Sequence, residues 1–253
     1  MTVLSKEATT LSTTAPQATT RTALVIEDDA DTRSLIESLL RSSGFVVSST
    51  GSGAEGLQLA RDLTPDLVLL DLGLPDLHGT EVCRELRTFT DTYIVIVSGR
   101  GDEIDRLLGL EMGADDYVVK PFSPRELQAR IAAMFRRPRR IGASSDGHPM
   151  TIPALHVGDL TVDMEAREVR VGGERVQLTR TEFELLAVLA SRSRRVWERE
   201  TLVRLVWKTD WMADTHTVDT HVANLRRKLA ARRPGPWIQA VRGVGYRLVT
   251  PSS

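Results

Sequence analysis

Five short apolar runs, Ala23–Ile26, Phe45–Ser48, Leu67–Leu70, Tyr93–Val97 and Tyr117–Val119, alternate along the chain with amphipathic stretches. The runs lack polar alternation, so each strand must be covered on both faces, the condition of a parallel sheet held between helices. Helical periodicity falls near residues 31–42, 53–63, 79–88, 102–112 and 123–136, which supplies the crossovers that parallel neighbours need. The predicted fold over residues 21–136 is an α/β doubly wound unit with a five-stranded parallel sheet of flavodoxin-like order. Chemistry in such a unit belongs at the carboxyl edge of the sheet.

The pattern then changes. The segment RRPRRIGASSDGHPMTIP, running from Arg136 to Pro153, mixes Pro, Gly, Ser and Arg without periodicity and reads as a linker over residues 137–153. Residues 155–178 carry short strands around a Gly172-Gly173 turn, which predicts an antiparallel sheet. Helical stretches follow at 181–191, 198–207 and 216–231, the first opened by the capping-box pair Thr179 and Glu182. Ile238–Arg242, a Gly243-Val244-Gly245 turn and Tyr246–Val249 predict a closing hairpin. Three helices and a hairpin over residues 154–250 give an α+β winged helix-turn-helix unit. The Thr-, Ser- and Ala-rich residues 1–20 read as a disordered tail without the apolar core of a signal peptide.

Charge separates the two halves. Residues 1–150 hold 16 Lys+Arg against 22 Asp+Glu, whereas residues 151–253 hold 17 against 12. Only the second half is therefore suited to a polyanion. Cys83 is the single cysteine, which excludes an intramolecular disulfide and a Cys-rich zinc site; it reads as a small buried hydrophobe. No apolar run is long enough to span a membrane, and a cytoplasmic location is expected.

Glu27, Asp28 and Asp29 follow the first predicted strand, Asp71 the third, Ser98 closes the fourth and Lys120 the fifth. In a parallel sheet these positions share one edge. Carboxylates gathered there repel one another unless a cation lies between them, and hard oxygen ligands suit Mg²⁺. Strand-end aspartates also cap helices, as Asp29 or Asp31 could. A carboxylate nucleophile beside a cation, a hydroxyl and an ammonium is equipped for phosphoryl transfer.

With VIEDD, LLDLGLPDLHG, VSGRG and GADDYVVKPFSPRELQARI, residues 21–136 resemble a response-regulator receiver, and the whole chain resembles the OmpR/PhoB subfamily of two-component transcription factors. The resemblance implies Asp71 as phosphoryl acceptor, supplied by a cognate sensor histidine kinase. It implies Mg²⁺ held by Asp28, Asp71 and the Gly73 carbonyl with Glu27 in support. Ser98 and Tyr117 would be the switch pair, Lys120 the phosphoryl partner, and Lys120–Pro121 a cis bond. Arg100 would shield the phosphoryl group. Arg106, Asp115, Asp116, Glu126 and Arg130 would form a homodimer interface on phosphorylation, with Arg106 meeting Glu126 and Asp116 meeting Arg130 across a two-fold axis. A dehalogenase-type phosphatase would need a second acid two residues after the nucleophile; Gly73 stands there, so a switch is expected and not a turnover enzyme.

In the second half, Val218, Val222, Leu225 and Leu229 recur at helical spacing as a buried face. The opposite face would carry Thr217, Asn224, Arg227 and Lys228, with Thr220, His221 and Arg226 nearby. Arg and Asn can read guanine and adenine edges of double-stranded DNA, and the remaining cations can hold phosphates. Arg242 resembles the wing arginine that enters the minor groove. His216 and His221, five apart, do not share a helix face and make a poor metal pair. Trp207 is expected in the core. The loop through Asp214 resembles the subfamily's RNA polymerase contact, although Trp211-Met212-Ala213 matches no pattern. The alternative is a constitutive DNA-binding protein whose first unit only docks or dimerises.

Overall fold

The structure, a computed structural model, describes residues 20–99, 108–136, 154–208 and 215–251. Its first unit has strands β1 (Arg21–Ile26), β2 (Phe45–Thr50), β3 (Leu67–Leu70), β4 (Tyr93–Ser98) and β5 (Asp116–Val119). These alternate with helices α1 (Ala30–Ser42), α2 (Gly53–Leu63), α3 (Gly79–Phe89) and, after β5, α4 (Pro124–Met134); residues 108–111 are also helical. All strand pairs are parallel in the order β2-β1-β3-β4-β5, the flavodoxin-like order expected. The expected helix at 102–112 is described only from residue 108.

Side-chain alternation along the strands feeds two cores. Leu24, Ile26, Val68, Leu70, Ile94 and Ile96 pack with Ala60, Val82, Cys83 and Leu86 of α2 and α3. Ala23, Val25, Leu67, Leu69, Val95 and Val97 pack with Ile36, Leu40, Leu127 and Ile131 of α1 and α4. Each fully buried aliphatic side chain contributes about 1.5–3 kcal/mol, and with both faces covered the register cannot slip without exposing them. Cys83 is buried as expected, and burial pushes its thiol up to about 12, so it is an inert core residue.

The second unit begins with an antiparallel sheet, β6 (Leu155–Val157), β7 (Leu160–Asp163), β8 (Glu168–Val171) and β9 (Glu174–Val176), in sequential order. Helices α5 (Arg180–Ser191), α6 (Arg199–Val206) and α7 (Thr215–Ala230) follow, then β11 (Ile238–Val241) and β12 (Gly245–Leu248). The capping box of α5 is present as read: Thr179 Oγ1 accepts from Glu182 N at 3.2 Å, and Glu182 Oε2 accepts from Thr179 N at 2.8 Å. A short strand β10 (Trp197–Glu198), not expected from the sequence, pairs with β12 to complete a three-stranded sheet. Gly245 permits that pairing, since a Cβ there would stand 2.0 Å from the Trp197 carbonyl oxygen. Val218, Val222, Leu225 and Leu229 are all fully buried, as the helical spacing requires.

Gly79 is the glycine that most directly shapes the first unit. A Cβ at this position would lie 2.2 Å from the Asp71 carbonyl oxygen and 2.6 Å from the Leu72 Cα, so α3 can start against the end of β3 only with hydrogen there. Gly79→Ala is expected to destabilise the chain by about 2 kcal/mol or more through this overpacking, measured as a lower urea midpoint at unchanged slope.

Candidate functional site

The main-chain ladder continues past the strand ends and assembles the sheet edge. Glu27 N donates to Thr50 O (3.0 Å), Asp71 N to Ile26 O (2.9 Å), and Lys120 N to Ser98 O (2.8 Å). Glu27, Asp71, Ser98 and Lys120 are thereby fixed along one rim, although the first and last are far apart in sequence. Glu27, Asp28 and Asp71 each place a carboxylate oxygen within 4.8 Å of the others. Lys120 Nζ lies 2.7 and 2.8 Å from the two Glu27 oxygens and 3.0 Å from Asp71 Oδ2. Asp71 Oδ1 accepts from Leu72 N at 2.6 Å. Gly73 is exposed beside Asp71, a Cβ there standing 3.7 Å from Asp71 Oδ2. Lys120–Pro121 is cis. Ser98 is buried at the end of β4, and Tyr117 is buried in the core on the α3 side.

Burial pushes the Glu27 carboxyl up to about 7, with Asp71 adding to the rise and Lys120 opposing it. Burial also acts to lower the Lys120 ammonium, but its hydrogen bonds to Glu27 and Asp71 outweigh that and hold it above the ordinary lysine value. Three acidic side chains thus converge where, among the described residues, the Lys120 ammonium pairs with two of them, Glu27 and Asp71. That all-oxygen donor set fits a hard divalent cation. Asp29 is not part of it: its side chain accepts from Thr32 N at 2.8 Å and caps α1.

Two side chains that the sequence did not single out brace the pocket's loops. One guanidinium nitrogen of Arg33 donates to the carbonyls of Glu27 and Asp28. The Asp76 carboxylate accepts from the Ser52 hydroxyl (2.8 Å) and from the amides of Gly53 (2.8 Å) and Ala54 (2.9 Å), tying the loop after Asp71 to the start of α2. These bonds hold its carboxyl well below the usual carboxylate range.

Of the residues expected at a dimer interface, Asp115, Asp116, Glu126 and Arg130 are engaged within the chain. Arg130 pairs with Asp116 at 3.0 Å and with Glu126 at 2.9 Å, and the Asp116 charge is the main cause of its raised pKa. Asp115 is fully buried: its Oδ2 accepts from Arg87 (2.6 Å) and Ile94 N (2.9 Å). Arg106 and Arg100 lie outside the described residues, as do most of residues 1–20 and the segment 137–153.

On the helix expected to meet DNA, the sequence placed Thr217, Asn224, Thr220 and His221 on an open face, and the structure places all four in buried positions. For Asn224 and His221 the reason is that α7 packs against the first unit. Asn224 Nδ2 donates to Leu110 O (3.1 Å), and both Trp207 Nε1 and His221 Nε2 approach Asp115 O at 3.3 Å. A carbonyl only accepts, so His221 carries its proton on Nε2. Burial lowers the His221 pKa. Nearby, Thr181 N donates to Asp115 Oδ1 (3.3 Å) at the start of α5, and Tyr93 OH donates to Glu184 (3.2 Å). Trp207 is in the core as expected, with its indole N–H reaching across the seam. Lys228 pairs with Glu182 at 2.6 Å, and Arg226 donates to Ile238 O at 2.9 Å, which ties α7 to the hairpin. Of the expected DNA-contacting set, Arg227 and Arg242 are exposed. The loop through Asp214 and Trp211 is outside the described residues.

A phospho-acceptor-like pocket on a doubly wound sheet, joined to a three-helix unit with a wing, defines a response regulator with a DNA-binding output domain. Residues 23–132 match the family described as response regulator receiver domain, and residues 173–248 match transcriptional regulatory protein, C terminal. The chain belongs to the OmpR/PhoB-type DNA-binding response regulators, two-component regulators of transcription. It is 41% identical over 229 residues to the DNA-binding response regulator MtrA of Mycolicibacterium paratuberculosis, covering 90% of this chain and 98% of that one. It is 42% identical to the transcriptional regulatory protein AfsQ1 of Streptomyces coelicolor, with the same coverage. Among solved structures, a mutant of RitR superposes with a TM-score of 0.71 at 29% identity, over 90% of this chain and 98% of that one. No described helix is long and apolar enough to cross a membrane.

Proposed function

We propose that the chain is a phosphorylation-gated transcription factor of the cytoplasm whose receiver, residues 21–136, receives a phosphoryl group on Asp71 from a sensor histidine kinase. The observation that carries this reading is the convergence of Glu27, Asp28 and Asp71 within 4.8 Å, with Lys120 at 3.0 Å from the acceptor. An Asp71 oxygen attacks phosphorus as the bond to the donor nitrogen breaks, and Lys120 offsets charge on the equatorial oxygens. Asp28, Asp71 and the Gly73 carbonyl, supported by Glu27, would hold Mg²⁺, which neutralises the same oxygens. Ser98 then bonds the phosphoryl group and Tyr117 follows it. Gly73 offers no acid or base, so autodephosphorylation is slow and the group persists as a signal.

The output domain, residues 154–250 beyond a linker at 137–153, binds double-stranded DNA with α7 in the major groove and Arg242 of the wing in the minor groove. Thr217, Asn224, Arg226, Arg227 and Lys228 line the DNA side once α7 leaves the receiver. In the arrangement described, Asn224 and His221 are bonded to receiver carbonyls, which favours a gated protein over a constitutive one. Phosphorylation shifts the balance to an open chain whose receivers dimerise through Arg106, Asp115, Asp116, Glu126 and Arg130, exchanging internal pairs for pairs across a two-fold axis. Two modules then occupy adjacent half-sites about one helical turn apart and present the loop through Asp214 to RNA polymerase. In the phosphorylated protein, log affinity for DNA is expected to fall steeply with log salt, with a slope of about −5 or steeper for a dimer making several phosphate contacts. A flat slope in an electrophoretic or anisotropy titration would remove DNA binding from the reading.

A further inference from the structure

Arg33 stands on α1 just past its first turn, and one of its guanidinium nitrogens donates to the Glu27 carbonyl at 2.6 Å and the Asp28 carbonyl at 3.1 Å. Those carbonyls belong to the two acidic residues that β1 contributes to the pocket. The guanidinium sits against Gly51 at the end of β2, where a Cβ would stand 3.3 Å from the same nitrogen and 3.6 Å from Glu27 O. The loop on the other side of the pocket has its own brace in Asp76. The Glu27–Asp28 turn has a main-chain bond from Glu27 N to Thr50 O, and beyond Glu27 the Arg33 bonds fix the course of the chain through Asp28.

We propose that Arg33 is a positioning residue for the divalent-cation site, holding the Glu27–Asp28 turn so that both carboxylates converge on Asp71. The inference rests on the Mg²⁺-dependent phospho-acceptor reading and adds to it a residue, itself no ligand, that sets cation affinity. Charge and position make opposite demands here. A guanidinium beside the pocket repels a divalent cation, so by Coulomb's law alone its removal tightens binding. Outer-shell partners that orient metal ligands typically contribute about 10–100-fold to affinity, so by positioning its removal weakens binding. The sign of the change separates the two.

The test is direct titration of Mg²⁺ into the unphosphorylated full-length chain by isothermal calorimetry, with thermal melting as a check on folding. Arg33→Gln is expected to bind Mg²⁺ about tenfold or more weakly than wild type. Arg33→Lys keeps the charge and loses the reach to both carbonyls, and it is expected to fall between the two. Unchanged or tighter binding in Arg33→Gln overturns the proposal. Where Arg33→Gln does not fold, Arg33→Lys decides it: weaker binding at an unchanged melting temperature supports positioning, and wild-type affinity overturns it. Absence of Mg²⁺ binding by the wild type would instead overturn the phospho-acceptor reading on which the inference stands.

Discussion

Incubated with acetyl phosphate and Mg²⁺, the wild-type chain is expected to gain one phosphoryl group in its intact mass, and Asp71→Asn none. The expected loss is complete, because an amide oxygen at this position is not a nucleophile and no other described carboxylate has the same surroundings. Glu27 is buried and held by Lys120 through both oxygens, and Asp28 is exposed. Among the described carboxylates, only Asp71 combines burial, a lysine contact through one oxygen and an exposed glycine, Gly73, at its side. Chelation of Mg²⁺ should abolish the gain in the wild type as well, since the Lys120 ammonium, paired with Glu27 and Asp71, cannot alone offset an incoming phosphoryl group. A persistent gain in Asp71→Asn would move the acceptor elsewhere; a gain that survives chelation would remove the cation from the reaction.

The second large effect is expected at the seam between receiver and output domain. Trp207→Phe keeps an aromatic ring and deletes the indole N–H that reaches Asp115 O; Tyr93→Phe deletes the hydroxyl that reaches Glu184. A hydrogen bond of this kind contributes about 1 kcal/mol, and because both bonds lie in the surroundings of Asp115 their simple sum is an upper bound. The double variant is then expected to favour the open form by up to about 2 kcal/mol, or up to about 30-fold. Apparent affinity for DNA follows the open fraction. The unphosphorylated double variant should therefore bind DNA up to about 30-fold more tightly than the unphosphorylated wild type, with little change once both are phosphorylated. Equal affinities in the unphosphorylated proteins would show that the seam does not control access to α7.

The receiver was legible in the sequence for a physical reason. Strands buried on both faces must be continuously apolar, as LVLL and YIVIV are, and parallel topology brings their ends to one edge whatever the separation in sequence. Glu27, Asp71, Ser98 and Lys120 could thus be placed together without knowing any distance. The faces of α7 were legible only in part. Val218, Val222, Leu225 and Leu229 announced one buried side, but the opposite side was read as open because a helix pattern cannot show a second partner from another domain. The braces escaped for a related reason. Arg33 and Asp76 act on main-chain atoms, Arg87 meets Asp115 across 28 positions, and Arg226 bonds a hairpin carbonyl; none of these leaves a spacing to recognise. The two-residue strand β10 is too short to carry a periodicity.

The receiver's side of the seam is built in good part from peptide groups: the carbonyls of Asp115 and Leu110 take the bonds from Trp207, His221 and Asn224. Any receiver whose backbone follows the same course offers the same acceptors, whatever side chains it bears there. Gene fusions that exchange receivers among relatives would inherit these three bonds ready-made, whereas the bonds to the Tyr93 hydroxyl and the Asp115 carboxylate would travel only with those side chains.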